Sequence, residues 1–417
     1  MIKEFKVWLY QFLRKTQKYT GTDNIYLTKG GFWLTLGQII STAASFLLAV
    51  AFANLLDPIV YGNYRYVLSL VGILGIFALP GMGTAITQTV ARGLEGSFYK
   101  GFKEKMKFGV LGSIATIGLA AYYFLRGNYT LSIPLLISAI FLPLMLASQV
   151  YGSFLVGRKL FNFQVKYSSL SQIISVGAMI SALFLTKNLF WLIAVYFVSH
   201  TFLDFFFYLC TKKKFKPNKK EDPETLSFGK HLSLMDIFTQ IAFYLDHILV
   251  FHYLGAAGVA IYHFAIIPPE QIKGLLKSIQ PLALPKFAQK DKEEIKKTIF
   301  KKMAKFLLFL LPTVVIYIII APFLYKFIFP QYLNSIFYSQ LFILSLFCVP
   351  FSFLGITALQ SQKAQKQLYQ LNISSSIIQI ILLFFLTYFY GLLGVIWARI
   401  ISRFVGASLS LWLVKQV

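Results

Sequence analysis

The chain has 417 residues, 57% hydrophobic and 13% charged, with 40 Lys and Arg against 15 Asp and Glu for a net charge of +25. Soluble domains carry about 25% charged residues, so the composition excludes an ordinary soluble fold and points to an all-α polytopic membrane protein. The basic residues are spread over short loops between apolar runs, which excludes a nucleic-acid partner and fits contact with anionic membrane lipids.

Residues 1–31 form a basic arm. Ile2, Phe5, Trp8, Leu9, Phe12 and Leu13 fall on one helical face, which predicts a helix lying on the membrane surface, and no cleavable signal peptide is visible. Six spans follow, near 32–56, 66–91, 108–125, 131–156, 167–186 and 189–210, making a first six-helix bundle over 32–210. At about 1.5 Å rise per residue, runs of this length cross a hydrocarbon core of about 30 Å. Arg65 stands at the start of span two between Tyr64 and Tyr66 and reads as an interface anchor, or as a cation at the mouth of a cavity. Pro80, Gly81 and Gly83 predict a bend in the same span. In span six, His200 and Asp204 are spaced to pair within one helix.

The segment TKKKFKPNKKEDPETLSFGK (211–230) reads as a mobile linker to a second bundle over 231–417. Its spans are placed near 231–254, 259–285, 306–329, 334–360, 369–390 and 392–414, for twelve in all. Span seven carries Asp236, Asp246, His247 and His252. Span eight carries His263, Glu270, Lys273 and Lys277, with Pro268, Pro269, Pro281 and Pro285 as expected bends. Span twelve carries Arg399 and Arg403. Cys210 and Cys348 read as small apolar side chains.

Lys and Arg distribution sets the orientation. Of the 40, 32 fall on the side of the N-terminus, four on the other (Arg65, Arg126, Lys187, Lys326) and four inside spans. Both termini are therefore expected in the cytoplasm. The stretches LLDPIVYGNY and YLGAAGVAIY also repeat one event. An offset of 198 places Tyr64 on Tyr262 and Leu56 on Leu254, and carries the basic loop 92–107 onto 290–305. Two parallel six-span halves are expected, related by an axis along the membrane normal.

A charge at mid-bilayer costs about 2.5–3.5 kcal/mol on insertion scales, so those that persist face a partner or a wet cavity. Depth along the spans predicts Glu270 with Arg403 and Asp236 with Lys273, as structural ion pairs or cavity groups. Arg399 and Lys277 are left without a carboxylate, and an anionic ligand would supply one. No Walker motif, metal-ligand cluster, GxSxG or long external loop is present, so neither an enzyme nor a cofactor is expected.

The stretches KGGFWLTLGQ (29–38), NLLDPIVYGNY (54–64), LPGMGTAITQTVARG (79–93) and YLDHILVFHYLGAAGVAIYHFA (244–265), with the twelve-span layout, resemble the polysaccharide-biosynthesis flippases. These are the O-antigen or oligosaccharide flippase type of the multidrug/oligosaccharidyl-lipid/polysaccharide exporter superfamily. The resemblance implies a central cavity between two bundles and translocation of a polyprenyl-diphosphate-linked oligosaccharide out of the inner-membrane cytoplasmic leaflet by alternating access. It implies headgroup binding by Lys273, Arg399 and Arg403, with Lys277 and Arg65 as further cations. Asp246, Glu270 and Asp236 would be cavity carboxylates that exchange H+ or Na+, and glycan polymerase or assembly proteins would be partners. The rival readings are a cation-coupled exporter of organic cations, which favours an acidic cavity, and a membrane-embedded glycan polymerase or ligase, which needs a large external loop.

Overall fold

The computed structural model describes residues 24–277, 292–362 and 364–416. The first half comprises α1 (Asn24–Leu55), α2 (Pro58–Leu74), α3 (Met82–Ala91), α4 (Ser97–Leu125), α5 (Tyr129–Ser148), α6 (Val150–Gly157), α7 (Phe161–Leu185) and α8 (Leu189–Phe215). The second comprises α9 (Thr225–Lys277), α10 (Lys292–Ile328), α11 (Ile336–Phe342), α12 (Val349–Ser361) and α13 (Gln365–Gln416). The predicted N-terminal surface helix, Pro281, Pro285, the side chain of Lys277 and most of the second basic loop lie outside the described residues.

Ten described segments are long and apolar enough to cross a membrane. Two of them, in α9 and α13, span 52 residues each, and a straight helix of that length would reach about 78 Å, far beyond the bilayer. Both fold back at a glycine. Gly255 adopts φ 72°, ψ −176° and Gly391 φ 54°, ψ −129°, conformations that side-chain-bearing residues avoid. Across the first turn, Tyr262 Oη donates to Asp246 Oδ2 at 2.6 Å, so the two legs form a hairpin. With each hairpin counted as two legs, the described helices accommodate the twelve expected spans.

The predicted repeat is visible at these tips. An offset of 198 places Asp57 on Gly255, and the two turns use different chemistry. Asp57 caps α2 by accepting from the Ile59 N–H at 2.8 Å, with Pro58 in the first helical turn. Gly255 supplies a positive φ instead. The tips also touch each other. A Cβ on Gly62 would lie 1.8 Å from the Ala256 carbonyl oxygen, so α2 and α9 approach this closely only because position 62 lacks a side chain.

Helix prolines test the polar bookkeeping of a membrane fold, because each removes a donor and strands the carbonyl four residues earlier. The bend expected at Pro80 is present: Leu79 turns left-handed (φ 54°) and α3 starts afresh at Met82. At Pro268 and Pro269, where bends were expected, α9 is not interrupted and continues to Lys277. Tyr325 Oη donates to the stranded Phe264 carbonyl at 2.8 Å. The same repair recurs elsewhere. Ser113 Oγ donates to the Ala139 carbonyl freed by Pro143 (2.6 Å), and Gln340 Nε2 to the Ile318 carbonyl freed by Pro322 (2.9 Å).

One core joins the halves on the tip side, where Tyr61 and Tyr64 pack with Phe264, Phe329 and Tyr332, and Asn54 Nδ2 donates to the Ile328 carbonyl at 2.9 Å. On the opposite side the linker is docked, contrary to the expected mobility. Buried Glu95 accepts from Arg158 Nε (2.5 Å) and Nη2 (2.6 Å) and from the Asn218 N–H (2.8 Å). The Gly96 N–H donates to the Lys220 carbonyl at 2.8 Å, and Arg92 pairs with Asp222. Burial pushes the Glu95 carboxyl up, but its hydrogen bonds and the Arg158 charge outweigh this and hold it below its ordinary value. Composition showed a polar strap, but not the buried carboxylates, Glu95 and Asp222, that tie it down.

Candidate functional site

Between the halves lies a cavity of about 600 Å³ lined by α1, α2 and α8 on one side and α9 and α13 on the other. Its cations are Arg65, Lys273, Arg399 and Arg403, all four of them among the cations expected at the site from sequence. Two carboxylates answer them, Glu270 in the wall and fully buried Asp246 behind it. The balance favours positive charge.

Sequence and structure agree on only one of three pairings. Arg403 pairs with Glu270 as expected, donates to Ser345 Oγ at 2.7 Å, and lies 4.7 Å from the Phe342 ring centroid. Lys273 is not with Asp236. It donates to Glu270 Oε2 at 3.3 Å, one turn away on its own helix, and Asp236 forms no ion pair among the described residues. The i, i+3 spacing makes the neighbour on the same face the nearer partner. Arg399, expected to lack a carboxylate, has one in Asp246. Its Nε donates to Asp246 Oδ2 at 2.9 Å and to Tyr262 Oη at 3.2 Å, and its Nη2 also reaches Asp246. Asp246 Oδ1 in turn accepts from the His247 backbone N–H and lies 2.7 Å from His247 Nδ1. The carboxylate is saturated.

Arg65, read as an interface anchor or a cavity-mouth cation, lies at the site. It stands eight residues past Asp57, about 12 Å below the tip at 1.5 Å per residue. There it lines the central cavity and a second one beside it. It has no ion pair among the described residues, and its buried Nε lacks a hydrogen-bond partner. Of the two readings the sequence left open for Arg65, anchor or cavity cation, its place in the cavity lining fits the second.

Other groups were missed. Tyr61 Oη and His263 Nδ1 lie 2.7 Å apart and join the halves directly. Tyr66 stacks on Phe251 at 3.6 Å between centroids. The expected His200–Asp204 pair does not form: Gln149 Nε2 donates to buried Asp204 at 3.4 Å, while His200 rests on the Tyr196 ring. Helical spacing permits an i, i+4 contact but does not compel one when another helix offers a donor.

The chain is 23% identical to a Shigella flexneri protein assigned as an O-antigen transporter, over 94% of this chain and 98% of that one. Its fold matches the lipid II flippase MurJ in an inward closed conformation, with a TM-score of 0.71 at 16% identity over 92% of this chain and 87% of that one. It also matches a multidrug resistance MATE transporter of the MOP superfamily in an outward-facing conformation, with a TM-score of 0.63 at 15% identity over 94% and 97%. At these identities the solved structures speak for the fold alone. The profile of the polysaccharide biosynthesis protein family matches residues 27–289, more than half of the chain, and the chain belongs to that family.

Proposed function

We propose that this protein flips a polyprenyl-diphosphate-linked oligosaccharide across the cytoplasmic membrane by alternating access, with both termini in the cytoplasm. The observation that carries this reading is the net-positive cavity between the halves, walled by Arg65, Lys273, Arg399 and Arg403 at mid-span. Burying cations in a low-dielectric gap is costly unless an anion joins them. A diphosphate supplies two or more charges and the bidentate acceptors that guanidinium groups favour. The polyprenyl chain stays in the bilayer while the headgroup occupies the cavity.

In this reading Arg65 is the free anchor, and Arg399 and Arg403 are held in reserve by their carboxylates. Exchange of a proton or sodium ion at Asp246 or Glu270 would release one of these arginines to the diphosphate and couple the cycle to an ion gradient. The rival exporter of organic cations is disfavoured by the same excess of positive charge.

The test is flipping by the purified protein in proteoliposomes. A polyprenyl-diphosphate hexose with a fluorophore on the sugar is followed by its loss of access to a membrane-impermeant quencher. The intact protein should equilibrate the two leaflets, and Arg65→Ala should slow this by about tenfold or more, as for loss of a charge-assisted contact. No flipping by the intact protein, together with uptake of a fluorescent organic cation, would replace this reading with the rival.

A further inference from the structure

A second cavity of about 510 Å³ adjoins the first, sharing Arg65, Tyr196 and Tyr244 with it and extending toward the linker side past Pro80. Its wall is built for hydroxyl-rich ligands: Ser69, Gln149, Gln240 and Tyr244 present hydroxyl and amide groups. It also contains Lys105, the third turn of α4, which is only 7% exposed. Lys105 makes no hydrogen bond or ion pair among the described residues. No carboxylate lines this cavity, and the nearby wall residue Gln149 already serves Asp204.

A lysine this buried has alternatives that the structure removes. It does not snorkel into open solvent, because it is buried where it lines the cavity. It is not half of an interhelical pair. Lys103 and Lys107, two positions away on either side, already supply the loop's surface charge, so topology does not require a cation at 105. What remains is a ligand with its own negative charge. The diphosphate is placed at Arg65 and the central cavity by the proposed function, next to the carrier lipid, so the group reaching Lys105 belongs to the glycan beyond it.

We propose that the second cavity is a glycan subsite and that Lys105 selects headgroups bearing an acidic sugar, a hexuronate or similarly charged unit. Neutral oligosaccharides on the same carrier would fill the cavity but leave Lys105 without a counter-charge. This inference rests on the flippase reading and narrows its substrate class.

The experiment measures binding of two probes to the purified full chain in nanodiscs. One is a polyprenyl-diphosphate hexose disaccharide; the other is the same carrier with a hexuronate as the second sugar. The intact protein should bind the hexuronate probe about tenfold more tightly, the scale of one charge-assisted contact. Lys105→Gln should bring the ratio of the two affinities to about one, and Lys105→Arg should keep the preference. The ratio is an internal control for a variant that folds less well. Equal affinities in the intact protein overturn the inference while leaving the flippase reading standing. A Lys105→Gln protein that loses both probes in parallel, with the ratio unchanged, also overturns it and moves Lys105 to the diphosphate. Binding of neither probe takes down both readings.

Discussion

Arg399 is fastened by two side chains from one hairpin: Asp246 on the first leg of α9 and Tyr262 on the second. Its side chain is 12% exposed and that of Asp246 is fully buried. Removing one member of such a pair costs more than removing both, because the survivor keeps its desolvation penalty without a counter-charge. Asp246→Asn should therefore destabilise the protein by about 3–5 kcal/mol, whereas Asp246→Asn with Arg399→Gln should recover a good part of that loss. Thermal unfolding of the four proteins in one detergent measures the coupling. Additive losses would mean that the two groups do not hold each other, and would return Arg399 to the position of an unmatched cation. Arg65 differs in kind, since it has no ion pair among the described residues and its buried Nε lacks a hydrogen-bond partner, which is why it anchors the proposed function.

The helices show which parts of this architecture could be read in advance. Apolar runs and charge-free stretches located the spans, and an offset of 198 located both hairpin tips, because each is a local property of ten to twenty residues. Contacts between distant segments were not local. Asp246 and Arg399 are 153 positions apart, and no periodicity within either helix points to the other. Arg65 was left open between interface anchor and cavity cation because span starts are blurred by several residues, and each residue shifts depth by about 1.5 Å. The prolines in α9 show the same limit. A proline pair predicts a bend, but not that Tyr325, from another helix, satisfies the Phe264 carbonyl that Pro268 frees. Tyr325→Phe should leave that carbonyl unpaired in a dry interior and cost about 1–3 kcal/mol. Pro268→Ala in the same background should recover much of it by restoring an N–H within the helix. A stability cycle on these two positions decides the point, and a costless Tyr325→Phe would show that water or another donor serves the carbonyl instead.

Across the whole molecule the two ends of the interface differ in a way that sets the direction of motion. The tip side is sealed by aromatic packing, by the Tyr61–His263 bond and by Asn54 on the Ile328 carbonyl. The linker side is tied differently: Glu95, Arg158 and Asn218 fix the strap to the first half, so movement of the second half must pivot beyond residue 222 and not along a slack connector. An alternating-access cycle then requires the tip seal to part while the strap holds. Cysteines placed at Asn54 and Ile328, in a chain whose free Cys210 and Cys348 are first replaced by serine, bring two thiols to that seal. A short bis-methanethiosulfonate reagent joining them should stop flipping in proteoliposomes, and reductive cleavage of the bridge should restore it. Each single-cysteine protein treated alike should flip throughout, because neither can bridge the halves. Flipping at the unmodified rate by fully bridged protein would mean that the tips never separate, and the cavity would then have to load and discharge through one side or through a lateral opening between helices.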